Sequence, residues 1–221
     1  MMRVRSGLLC ARPWVGGCAL VVAALLTGCA GSGNPETFFA LNDGGVVQST
    51  TSGSGARGPS LPGIVISAVT VPELVDRPQI VTRDASNRIV VSEQNLWAEP
   101  VRSGIARTLA TRLSRTLDEA GRAAQVVAYP QTSIATPVLR VTVDVVRFDA
   151  VPNGEAIIDA VWSIRRPSDS TVRTGRTVAS APISGTSYDA IVGAWNDALQ
   201  VVDRDIAATV LQVGVGPEPT R

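Results

Sequence analysis

Residues 139–164 read LRVTVDVVRFDAVPNGEAIIDAVWSI, and the class of fold turns on them. Leu139, Val141, Val143 and Val145 alternate with Arg140, Thr142 and Asp144, the period-two pattern of a strand with one face buried. The phase then slips to Val146 and Phe148, which predicts a bulge near Val145. Ala156, Ile158, Ala160, Trp162 and Ile164 give the apolar face of the next strand. Residues 171–181 are more polar and carry Arg173 and Arg176, as an edge strand should.

Outward from this sheet the period changes. After Ser187, a good N-cap, the residues Ile191, Trp195, Leu199, Val202, Ile206 and Val210 fall on one narrow stripe, with Asp197, Gln200 and Arg204 opposite. The closing GVGPEPTR is expected to be disordered. Upstream, Trp97-Ala98-Glu99-Pro100 opens a second helix, since proline suits a first turn and Glu99 lies beside the positive helix end. Ile105, Leu109, Leu113 and Leu117 recur every four residues, Arg107, Arg115 and Arg122 lie away from them, and Gly121 ends the helix. Further upstream, Ile80–Thr82 and Ile89–Val91 flank a polar turn at Arg83–Arg88 and read as a hairpin. Gly63–Val71 reads as a strand closed by Pro72, and Thr37–Leu41 as a short first strand. The Gly/Ser/Thr-rich residues 42–62 are expected to form a flexible loop, with an rms span of about 25 Å for such a coil. Two amphipathic helices on a mainly antiparallel sheet make an α+β two-layer domain, placed at residues 63–213.

The N-terminus carries a different signal. Arg3, Arg5 and Arg12 precede a charge-free run from Val15 to Gly28, too short to span a bilayer but suited to an export signal. The run ends Leu26-Thr27-Gly28-Cys29, the bacterial lipobox pattern, which makes Cys29 the expected site of lipidation. Cleavage before Cys29 removes 28 residues and leaves 193 of the 221, including a polar tether before Thr37. Cys10 and Cys18 leave with the signal, so the processed chain holds one acylated cysteine and no internal disulfide. Ala30 follows that cysteine, and under the enterobacterial sorting rule this implies the outer membrane.

Composition excludes much chemistry. The chain has no histidine, and its 20 basic residues are all arginine. That removes Ser-His-Asp and Cys-His units, His-ligated metal sites and Schiff-base lysines, and no cofactor is implied. The processed chain keeps 17 arginines against 19 acids, a near-neutral balance that argues against nucleic-acid binding by counterion release. The close acid pairs Asp118-Glu119 and Asp203-x-Asp205 sit on predicted helices at spacings that do not share a face, and read as solvated surface. Arg165, Arg166, Arg173 and Arg176 form a modest basic cluster that reads as a solvated strand end, with contact to phospholipid headgroups as the alternative.

The segment Val71-Pro72-Glu73-Leu74-Val75-Asp76-Arg77-Pro78-Gln79-Ile80-Val81 is more specific. Two prolines bracket an acid–base pair in a connection that must be extended before Pro78. Asp76 and Arg77 either fix this loop by hydrogen bonds or present a contact surface. Trp97 is either a core anchor at the helix entry or an exposed contact. Trp162 and Trp195 are expected in the core, and Phe38 and Phe39 are expected to dock on the sheet rather than insert in a bilayer.

Taken in order, these segments resemble the ABC-type transport auxiliary lipoproteins, the PqiC (YmbA) family. The resemblance rests on the aromatic pair after the cysteine (Phe38-Phe39-x-Leu41), on Pro-x-x-x-Asp-Arg-Pro-x-Ile-Val at Pro72–Val81, and on the Trp-Ala-Glu-Pro turn at Trp97–Pro100. It covers essentially the whole mature chain. The pair is Phe-Phe where tyrosine is usual, and the loop at 42–62 is longer than typical. The resemblance implies a non-enzymatic, outer-membrane-anchored lipoprotein on the periplasmic face, held by acyl chains on Cys29. Its implied partners are an MCE-domain (PqiB-like) protein and ABC-type transporter components that move lipid and support envelope integrity. Phe38, Phe39, Asp76, Arg77, Pro78 and Trp97 are the expected partner-binding residues. A homo-oligomeric ring would suit the capping of a symmetric tube. A scaffold for envelope assembly or peptidoglycan attachment, without transport, is the alternative.

Overall fold

The computed structural model describes residues 35–42, 61, 63–130, 134 and 139–214. The sequence expectations for the signal, for Cys29, for most of the tether and of the loop at 42–62, and for the tail after Gly214 lie outside the described residues. Glu36–Arg221 form one compact unit, and Met1–Pro35 separate from it as another.

Ten elements follow one another in the larger unit. They are β1 (Thr37–Phe39), β2 (Ile64–Thr70), β3 (Gln79–Arg83), β4 (Ile89–Trp97), α1 (Val101–Glu119), β5 (Val126–Ala128), β6 (Leu139–Ala150), β7 (Glu155–Arg166), β8 (Thr171–Pro182) and α2 (Tyr188–Gly214). The fold is α+β. The strands form two sheets, a five-stranded one ordered β5-β2-β6-β7-β8 and a three-stranded one ordered β1-β4-β3.

The long antiparallel pairings β6–β7 and β7–β8 carry the alternation read from the sequence, and β8 is an edge strand. The register slips between Val145 and Arg147, where the change of phase predicted a bulge. Trp162 faces Gly175 across β7 and β8, and a side chain at 175 would collide with the indole, so only glycine fits beneath it.

Two arrangements differ from a single, mainly antiparallel sheet. β2 pairs in parallel with both β5 and β6, and β1 pairs in parallel with β4 in the separate small sheet. The hairpin, α1 and β5 all lie between β2 and β6 in the chain, long enough for the crossover that a parallel pair requires. Alternation shows which face of a strand is buried but not which strand lies beside it.

Both helices cover one face of the large sheet: α1 lies against β2 and β5, α2 against β7 and β8, and the helices pack on each other. Pro100 precedes α1 with an extended ψ of 130°, and no side chain caps the helix. At the other end Gly121 takes φ 71°, while Arg122 N–H donates to Leu117 O (2.8 Å) and Gly121 N–H to Asp118 O (2.9 Å), a Schellman closure that glycine permits. Ser187 Oγ accepts from Ala190 N–H (3.3 Å) at the start of α2. The predicted stripe Ile191–Val210 is buried along its length. The core is centred on stacked rings, Phe148 on Trp195 at 4.6 Å and Trp97 at 5.6 Å from Trp195. Trp195 Nε1–H donates to Asp149 O at 3.0 Å, which satisfies its one polar atom.

Candidate functional site

The residues singled out from sequence meet at one place, the start of α1. Pro78 O accepts from Trp97 N–H (2.7 Å), and Phe39 O accepts from Ala98 N–H (2.8 Å), so the Pro72–Val81 segment and β1 join on the two sides of Trp97. Phe38 pairs in register with Leu96 and Phe39 with Trp97.

Within this junction most of the polar groups are ties. Val75 and Asp76 N–H both donate to Pro72 O (3.0 and 3.2 Å), which closes a turn with Val75 buried beneath it. Asp76 Oδ2 accepts from Arg102 Nη1 at 2.8 Å, fastening that turn to α1. Glu99 Oε1 accepts from Arg107 Nη2 (2.6 Å) and Nε (3.1 Å), and Arg107 Nη2 also donates to Leu41 O (2.7 Å). Trp97 is buried in the aromatic core, which settles its role in the fold as an anchor. Phe39 is half-buried, 6.1 Å from Tyr188. Phe38 differs from the expectation of docking: the residue is 60% exposed, because its neighbour in the alternation, Phe39, takes the inward face. The outward groups at the junction are therefore Phe38, Glu73, Leu74, Pro78 and Arg77, whose guanidinium no described residue pairs.

Two of the four arginines of the basic cluster are paired with acids. Arg176 makes a two-pronged pair with Asp159 (Nε to Oδ1 2.8 Å, Nη2 to Oδ2 2.6 Å), and that guanidinium holds the Asp159 carboxyl below the ordinary carboxylate range. Arg166 pairs with Asp169 at 3.0 Å. No group of three or more His, Cys, Asp or Glu side chains able to hold a metal occurs among the described residues, and none of their helices is long and apolar enough to cross a membrane.

One acid overturns its reading as solvated surface. Asp203 is 2% exposed, between α1 and α2. Its Oδ2 accepts from Thr116 Oγ1 at 3.0 Å, while Oδ1 has no hydrogen-bond partner. Burial pushes the carboxyl up to about 6, against the hydrogen bond from Thr116 and the charges of Arg112, Arg115 and Arg204, which lower it. Beside it lies Arg112, also buried, donating Nη1 to Asn196 O (2.8 Å) and Nη2 to Asn42 O (2.7 Å). Asn42 N–H in turn donates to Asn196 Oδ1 (3.1 Å). The cue in the sequence was register: Thr108, Arg112 and Thr116 recur every four residues along α1, and Asp203 lies four residues beyond Leu199 on the apolar stripe.

Fold and site together define an α+β domain whose charged side chains tie its elements to one another, with no catalytic constellation among the described residues. The model of the ABC-type transport auxiliary lipoprotein component matches residues 45–207, and the chain belongs to this family. It is 27% identical over 192 residues to the intermembrane transport lipoproteins PqiC of Escherichia coli (strain K12) and Shigella flexneri, covering 85% of this chain and 95% of each relative. Among solved structures, an uncharacterized protein shares the fold with a TM-score of 0.61 at 17% identity, over 80% of this chain and 99% of its own. A Xanthomonas campestris protein of the DUF330 family does so with a TM-score of 0.58 at 20% identity, over 80% and 96%.

Proposed function

We propose that this chain is a lipoprotein of the outer membrane, held on its periplasmic face by acyl chains on Cys29, that serves as the non-catalytic auxiliary subunit of an MCE/ABC-type intermembrane lipid transport system supporting envelope integrity. The observation that carries the reading is the family match across residues 45–207, together with a lipobox ending at Cys29 upstream of it. The relatives named as intermembrane transport lipoproteins support it. Two or three acyl chains, at about 0.8 kcal/mol per buried CH₂, hold a domain stably where one would not. The surface offered to a partner is the outward part of the junction, Arg77, Pro78 and Phe38, braced from behind by Trp97, Phe39 and the Asp76–Arg102 pair.

The test is affinity capture from crosslinked membranes through a tag after Arg221, read by mass spectrometry. Recovery of an MCE-domain protein with ABC components is expected. Recovery of only peptidoglycan or assembly machinery would transfer the chain to a scaffold role. Cys29→Ser is expected to leave an uncleaved precursor that does not fractionate with the outer membrane, and processing to normal mobility would refute lipidation.

A further inference from the structure

The tip of the β3–β4 hairpin exposes three consecutive branched apolar residues, Ile89, Val90 and Val91, at 39%, 42% and 40% of their surface. Neighbours in a strand point to opposite faces, so β4 exposes apolar side chains on both of its faces there, although the paired Val81 and Thr82 of β3 are buried. Among the described residues one edge is open as well: β3 pairs with 89–91 on one side, while β1 covers β4 only at Asn95–Trp97. An apolar edge of this kind is ordinarily blunted or covered, since it invites association. The turn beyond it is stiff. Asp84 Oδ1 accepts from Ser86 and Arg88 N–H (both 2.9 Å), Oδ2 accepts from Arg88 Nε (2.7 Å), and Asn87 takes φ 67°. These bonds engage the one acid of the turn, and Arg88, which pairs with it through Nε, has a side chain 79% exposed at the tip.

What covers this tip follows from chain direction. β1 runs parallel to β4, so the chain reaches Thr37 from the hairpin-tip side of the small sheet. Cys29 lies eight residues before Thr37, a reach of at most about 29 Å when fully extended. From Asn95, the register partner of Thr37, to Ile89 is six residues of strand, about 20 Å. A tether of that length lets the tip reach the surface in which its anchor sits.

We infer that the β3–β4 hairpin tip is a membrane-contact surface: Ile89, Val90 and Val91 rest in the headgroup region of the phospholipid leaflet that holds the lipid on Cys29, with Arg88 facing its phosphates. The inference rests on the proposed lipidation of Cys29. Contact removes the apolar edge from water and sets the side of the domain that faces away from the bilayer.

The experiment uses the full lipidated chain carrying Val90→Cys. Acylation occupies Cys29, so the new thiol is the single reactive one in the processed protein. It is labelled with an environment-sensitive dye and reconstituted in phosphatidylethanolamine–phosphatidylglycerol vesicles containing a spin-labelled phospholipid. Ile89→Cys reports from the other face of the ribbon, and Val178→Cys, 64% exposed on β8, is the control. The expected result is flotation with vesicles, with quenching and a blue shift at 90 and 89 but not at 178. Flotation with no quenching at 89 and 90, or with quenching at 178 instead, overturns the hairpin contact while leaving the anchor standing. Failure to float overturns both.

Discussion

Asp203→Asn isolates the cost of a buried charge. The carboxyl titrates near 6 in the folded chain against 3.8 ordinarily, and each unit of such a difference is about 1.4 kcal/mol, so the ionised form destabilises the fold by about 3 kcal/mol at full ionisation. The sign follows from linkage. A carboxyl whose folded pKa is raised binds its proton more tightly in the native state, so stability increases as pH falls through 6 and levels off below 3.8. Between pH 8 and pH 5 the gain is about 1.4 kcal/mol, or about 3–5 °C in Tm for a body of this size. The window is clean. The chain has no histidine, and the carboxyls of Asp84, Asp159 and Asp169 are lowered, so the stability they lend is lost only below the ordinary range. Urea titrations of the wild type and of Asp203→Asn at pH 5 and pH 8 measure the effect. The wild type should be the more stable at pH 5, and the variant should lose that difference. Equal pH dependence in the two proteins would refute the argument, since an amide cannot titrate.

Two further substitutions probe packing. Trp97→Ala should lower stability by about 3–5 kcal/mol, because it empties the centre of the ring cluster with Phe148 and Trp195; a loss below about 1 kcal/mol in urea would show that this ring is not an anchor. Gly175→Ala should cost about 1–3 kcal/mol, because the added methyl must push aside the Trp162 indole and with it the bond from Trp162 Nε1–H to Thr177 Oγ1 (3.1 Å). Unchanged near-ultraviolet circular dichroism and stability would contradict it.

Much of the fold was legible because it is written in local period. The alternation at Leu139–Val145, the four-residue rhythm Ile105–Leu117 and the polar residues of β8 each follow from facing or missing a core. The pairing of β2 between β5 and β6 was not, because nothing in the seven residues of β2 names a neighbour far away in sequence. The site divided similarly. Asp76–Pro78 and Trp97–Pro100 stood out as unusual local sequence, and the fold joins them through the Pro78–Trp97 bond. Asp203 and Arg112 did not, because a charged residue beside an apolar stripe looks solvated until a second helix is laid over it.

Why a cation is buried between α1 and α2 follows from the strand end it holds. Beyond Phe39 the segment Leu41–Asn42 has no strand partner, yet Leu41 is buried, so its carbonyls need donors from elsewhere. Arg107 supplies Leu41 O and Arg112 supplies Asn42 O, while Asn196 receives Asn42 N–H. An apolar side chain at 112 could fill the space, but would take away the donors to Asn196 O and Asn42 O that join α1 to α2 and to the end of β1. A guanidinium buried there calls for a countercharge, and Asp203 is the acid buried with it on the facing helix. Burial beside the clamp raises the carboxyl, and the charge of Arg112 offsets part of that rise. Under the proposed anchoring, the clamp has a mechanical meaning. Residues 43–60 follow it in the chain, so they lie outside the connection from lipid to domain, and only residues 30–36 separate Cys29 from β1. A pull on the lipid is borne by β1 and by the bonds to Leu41 and Asn42, and a tether this short keeps the domain against the bilayer instead of letting it swing on a long linker.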